Sequence, residues 1–125
     1  MLQQAWIRDV VTPGRERTQE NLLRNRFPVF TTDANSGVPL FRYMRYWLEV
    51  GQEKAGGPLD AVARSALDAL DAALADPRHV VRFKLARGEA IWVNNRCLAH
   101  NRTAYEDRPG NQRRLQRMWV RTSGA

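Results

Sequence analysis

The clearest periodic signal in the chain lies between Pro58 and Asp76. Leu59, Val62, Ala66, Leu70 and Leu74 recur there at helical spacing, with Ala63, Leu67 and Ala73 beside them. Asp60, Arg64, Asp68 and Asp71 fall on the other side, so the pattern predicts an amphipathic helix over residues 58–76. Pro58 suits the first helical position, and Asp76-Pro77 stops the helix. This reads as a packing helix that covers a sheet. After Pro77 the period changes from helix to strand. Val81, Phe83 and Leu85 alternate with Arg82 and Lys84, and Arg87-Gly88 turns the chain into Ala90 to Asn94. That next strand is expected to end at His100, and a final strand to run from Arg113 to Arg121. The polar Glu106-Asp107-Arg108-Pro109-Gly110 loop lies between them. The strands thus span about 79–121.

Upstream the signals are shorter. Ala5 to Val11 predicts a strand that Thr12-Pro13-Gly14 ends, because proline removes a donor and glycine permits the turn. Arg15 to Arg26 is polar around a Leu22-Leu23 pair and reads as a short helix or a loop. Arg26 to Phe30 resumes an extended run, since the residue before proline avoids helix. Asp33 to Gly37 is turn chemistry, Val38 to Leu48 an aromatic-rich strand passing into a helical turn, and Gly51 to Gly57 a linker. The expected architecture is mostly β with one or two helices, in a single domain over residues 1–125.

Composition narrows the classes. A hydrophobic content of 43% excludes a disordered tail. The net charge is +7, carried by 18 arginines and only two lysines, Lys54 and Lys84, which reflects either compositional bias or attraction to anions. The arginines are scattered from Arg8 to Arg121 without a basic block, which argues against a nucleic-acid surface. Cys97 is the sole cysteine, so an internal disulfide and a Cys-rich zinc site are excluded, and a reducing cytoplasm fits. No stretch reads as a signal peptide or approaches the ~18 apolar residues of a membrane span.

Candidate chemistry concentrates between Trp92 and Arg117. If the last segment is extended, Arg113, Leu115, Arg117 and Trp119 share one face. Two guanidinium groups side by side repel unless an anion joins them, and a dicarboxylate suits arginine's planar fork. His100 lies thirteen residues before Arg113. It is either a histidine hydrogen-bonded at a strand end or a metal ligand. Arg113 and Arg117 are either surface charges facing Glu106 and Asp107 or a carboxylate grip.

The run N-R-x-x-x-H from Asn95 to His100, then R-T-A-Y, then R-x-L-x-R from Arg113 to Arg117 resembles the C-terminal signature of the taurine dioxygenase-like Fe(II)/2-oxoglutarate oxygenases, which include the clavaminate synthase-like enzymes. The resemblance implies that His100 is the distal iron ligand and that Arg113 anchors the far carboxylate of 2-oxoglutarate. Arg117 is implied to serve the cosubstrate or an acidic substrate, and Arg42 and Asn95 to be substrate contacts. The implied cofactors are Fe(II) and 2-oxoglutarate, and the implied reaction is hydroxylation of a small, acidic or amino-acid-like substrate. The implied fold is the C-terminal half of a double-stranded β-helix, or jelly roll, because the family's catalytic domains are roughly twice this length.

Two features depart from that pattern. The family often carries Asp-Asn where this chain has Asn94-Asn95. Its H-x-D or H-x-E ligand pair also has no counterpart here: His79, the other histidine, is followed by Val80 and Val81 and reads as a solvent-facing or capping residue. The expectation is therefore a partial oxygenase-like domain that lacks an N-terminal half or forms a homo-oligomer. The other reading is a small basic module that binds nucleic acid or protein without catalysis.

Overall fold

Val29 ties together two short antiparallel sheets in the computed structural model, which describes residues 1–10, 14, 16–110, 112 and 114–120. Strand β1 (Ala5–Ile7) pairs with β2 (Arg26–Pro28), placing Trp6 opposite Phe27. Strand β3 (Phe30–Thr32) pairs with β4 (Pro39–Phe41), placing Phe30 opposite Phe41, and their rings stack with centroids 5.0 Å apart. Val29 lies between β2 and β3 and is wholly buried. Its N–H donates to the Leu2 carbonyl at 3.1 Å, and its carbonyl accepts from the Arg42 N–H at 2.9 Å. Pro28 and Pro39 stand at strand ends, where a missing N–H disturbs the ladder least.

Among the described residues, three α-helices pack around this pair. Helix α1 (Gln19–Arg24) begins where the Thr18 hydroxyl accepts the Asn21 N–H at 3.1 Å, so the stretch left open between helix and loop is partly helical. Helix α2 (Arg45–Lys54) runs through Gly51, a residue that reads as the start of a linker. Its reason is contact: a Cβ built on Gly51 meets the Ile7 carbonyl at 2.5 Å and the Asp9 nitrogen at 2.8 Å. The Asp9 N–H donates to the Trp47 carbonyl at 2.9 Å, so α2 lies backbone against backbone on the exit of β1.

Helix α3 (Ala61–Ala75) is capped by Asp60, whose carboxylate accepts the Ala63 N–H at 2.7 Å. The cap puts the helix start after Asp60, so Pro58 lies outside it. The packed stripe is Leu59, Ala63, Leu67 and Leu70, which join Trp6, Val29 and Leu48 in one core. Val62, expected on that stripe, is 63% exposed. The opposite face is not idle, since Arg45 bonds Asp68 at 2.5 Å and Asp71 at 2.9 Å, while Glu49 on its own helix holds it at 2.8 Å. Tyr43 donates to Asp71 at 2.5 Å, and together these contacts fasten α3 to α2 and the end of β4. After a 3-10 turn at Pro77–His79, His79 Nδ1 lies 3.1 Å from the Ala73 carbonyl, the capping position expected for it.

The strands expected over 79–121 are not formed among the described residues. Apart from an isolated bridge at Arg108, residues 80–110, 112 and 114–120 carry turns and irregular backbone. The Arg87-Gly88 turn is made, with the Ala86 N–H donating to the Glu89 carboxylate at 2.7 Å, yet no ladder flanks it. Alternation of apolar and basic residues makes a strand only where a neighbour pairs its backbone and a core takes its apolar face. Here Val81 is 85% and Phe83 60% exposed, so among the described residues that face is left largely uncovered. The described elements therefore make a small mixed helix-and-strand unit with few strands.

Candidate functional site

The N-R-x-x-x-H stretch begins on a turn that is bonded to itself and to the β3–β4 hairpin. The Asn94 side-chain oxygen accepts the Arg96 N–H at 3.1 Å, and the Asn94 carbonyl accepts the N–H groups of Cys97 and Leu98, both at 3.3 Å. From the hairpin, the Phe41 N–H donates to the Arg96 carbonyl at 2.7 Å. Arg96 Nη2 in turn donates to Asp33 Oδ2 at 2.5 Å.

Asp33 is engaged on both oxygens. Its Oδ1 accepts the Asn35 N–H at 3.1 Å and both the N–H and the hydroxyl of Ser36 at 3.0 Å, the local pattern that aspartate favours in turns. The Ser36 backbone bond first, and then Arg96, hold this carboxyl far below the usual carboxylate range. Sequence reading gave Asp33 a turn role and missed its second role as partner of Arg96. A pairing across 63 positions leaves no local signal.

His100 is exposed, and its Nε2 lies 2.8 Å from the side-chain oxygen of Asn95. In the tautomer with its proton on Nε2 this contact is a hydrogen bond, and Nδ1 then keeps the lone pair. Two of the expected site residues are thus brought together. Arg117 has a different neighbour, its guanidinium lying 4.9 Å from the centre of the Trp119 ring. Arg42 is exposed at the end of β4, 4.8 Å over the Phe27 ring. Arg113 lies outside the described residues, and so does the shared strand face expected of it. A shallow cleft of about 550 Å³ is lined by Arg102, Tyr105, Arg114, Leu115 and Gln116, all within the R-T-A-Y and R-x-L-x-R stretches, though none of the five is an expected site residue.

Among the described residues, no three His, Cys, Asp or Glu side chains converge to hold a metal ion. The iron ligand set that the resemblance implies is therefore not assembled among them, and His100 is its one candidate member there. No helix among them is long and apolar enough to cross a membrane.

A family model described as taurine catabolism dioxygenase TauD, TfdA family matches residues 7–119. The chain belongs to this family. The match takes in Arg42, Asn95, His100, Arg113 and Arg117 together. A curated relative, the uridine-5'-phosphate dioxygenase of Amycolatopsis sp, is 38% identical over 90 residues, covering 72% of this chain and 32% of the relative. The chain thus spans about a third of the length of that relative. No solved structure matches it.

Proposed function

We propose that this chain is the distal-ligand segment of an Fe(II)/2-oxoglutarate dioxygenase, in which His100 is one iron ligand and Arg113 holds the far carboxylate of 2-oxoglutarate. The observation that carries the reading is the family match over residues 7–119, because it includes both the histidine motif and R-x-L-x-R. The reading requires two further iron ligands, an H-x-D or H-x-E pair, from polypeptide beyond the 125 residues, and the strands at 79–121 would join a jelly roll with it. Bound iron and 2-oxoglutarate supply the oxidising power in this class of enzyme. The chain's own contribution is binding and orientation. Asn95 lies against the ring of His100, and in the assembled fold Arg113 and Arg117 would offer their forks to carboxylates or a phosphate.

For the substrate we take a small anion, and a nucleoside monophosphate first, since the relative is named for one and the chain carries +7. Arg42 and Arg117 are the candidate contacts. The test is a chimera in which this chain replaces the matching stretch of the Amycolatopsis relative, assayed for succinate release from 2-oxoglutarate with uridine-5'-phosphate present. Turnover that is lost in His100→Ala supports the assignment, whereas a His100→Ala chimera that keeps full turnover removes it. On the chain itself, 2-oxoglutarate should quench tryptophan emission. Nucleic-acid binding that weakens steeply with salt, without such quenching, would favour a basic binding module instead.

A further inference from the structure

We infer that Asp33 is a positioning residue for His100, acting through Arg96; the catalytic meaning of this clamp rests on the dioxygenase reading, while the clamp itself does not. The two contacts described above that fix the 94–98 turn from outside both come from one hairpin: the Phe41 N–H to the Arg96 carbonyl, and the Asp33 carboxylate to the Arg96 guanidinium. The first sets how the turn lies along β4. The second stops it pivoting about that single bond.

Asp33 is built for this. Its three hydrogen bonds within the turn all fall on Oδ1, which leaves Oδ2 as the oxygen aimed at Arg96. The Asp33 side chain is 19% exposed and that of Arg96 52%, so the carboxylate is held against the turn while the guanidinium reaches it from the solvent side. Arg96 adjoins Asn95, and Asn95 holds the ring of His100. The route from hairpin to histidine is therefore Asp33, Arg96, Asn95, His100. A partly exposed pair adds little to global stability, so its effect is on geometry. The structure thereby gives the hairpin a role that its sequence, a plain D-A-N-S-G turn, does not announce.

Cys97 lies inside the clamped turn and is the only cysteine of the full chain, so its labelling rate by a thiol reagent reports how often the turn opens. Asp33→Asn keeps the turn's Oδ1 acceptor and removes the charge. In the 125-residue chain, Asp33→Asn and Arg96→Gln should each speed labelling about 2- to 5-fold, the range an exposed ion pair gives, with the urea midpoint unchanged. The double variant should be no faster than either single one. Ring-nitrogen NMR, well above the ordinary histidine range, should change from one tautomer of His100 to a mixture in Asp33→Asn.

Unchanged labelling, rates that multiply in the double variant, or an unchanged tautomer would overturn the inference. So would a urea midpoint that falls along with the clamp, because the role would then be structural only. If these results hold and the chimera shows no 2-oxoglutarate-dependent turnover, the clamp stands and the dioxygenase reading fails. Turnover without them has the opposite meaning.

Discussion

At the scale of single residues, Gly51 shows how a backbone contact overrides local preference. Alanine is the better helix former by about 1 kcal/mol, so propensity alone favours Gly51→Ala. The new methyl group would stand 2.5 Å from the Ile7 carbonyl and 2.8 Å from the Arg8 Cα, both backbone atoms that cannot swing aside. Overpacking should win, leaving Gly51→Ala net destabilised by about 1–3 kcal/mol in urea unfolding. Tyr43 makes a second test. Partial burial, and then its bond to Asp71, push its hydroxyl well above the ordinary tyrosine value. A raised acid is protonated in both states below the unfolded value of about 10, so its contribution is intact there. Above that pH the unfolded chain ionises first and stability falls. Tyr43→Phe should flatten this alkaline slope, measured as urea midpoint against pH. For Arg113, the proposed anchor, Arg113→Ala in the active chimera should raise the 2-oxoglutarate requirement far more than that of the substrate. The bidentate charged contact it removes amounts to roughly 2–5 kcal/mol, and lysine should restore only part of it. An unchanged requirement, with Arg117→Ala shifting it instead, would place the anchor at Arg117.

At the scale of elements, α3 separates what periodicity says from what packing decides. Leu67 is 1% exposed and Val62 63%, although both are apolar and five positions apart on the same helix. Leu67→Ala should cost about 2–5 kcal/mol, and Val62→Ala should lie within about 0.5 kcal/mol of wild type, by thermal or urea unfolding. The helix itself was legible because fifteen residues give the 3.6-residue period room to repeat. Its burial face was not, since Val62 and Ala66 fit the apolar arc as well as Ala63 and Leu67 do. The short elements were legible by punctuation: Pro28 marked the extended run, and the Asp33 to Gly37 turn was plain from composition. The second half of helix α2 was not legible, because Gly51 looks like a breaker until β1 is seen against it. The candidate site was legible only as a motif. Asn95 and His100 prove to be hydrogen-bonded, whereas the Asp33–Arg96 pair comes from the fold and no spacing rule reaches it.

At the scale of the whole molecule, a well-packed first part contrasts with a second part whose described apolar side chains are largely exposed. The core draws on residues from Trp6 to Leu70. Beyond Pro77, alternating residues such as Phe83, Trp92 and Trp119 remain 60% or more exposed, on a chain whose net charge is +7. That combination governs colloidal behaviour. Apolar segments with unpaired backbone invite copies to stick together, while the positive charge they share keeps them apart. Added salt shortens the reach of this repulsion to about 10 Å at 0.1 M and about 3 Å at 1 M. Light scattering by the purified chain should therefore rise with sodium chloride, and the rise should be smaller once Phe83 and Trp92 are both changed to serine. Scattering that falls with salt would mean that contacts between unlike charges, and not the uncovered apolar face, draw the copies together.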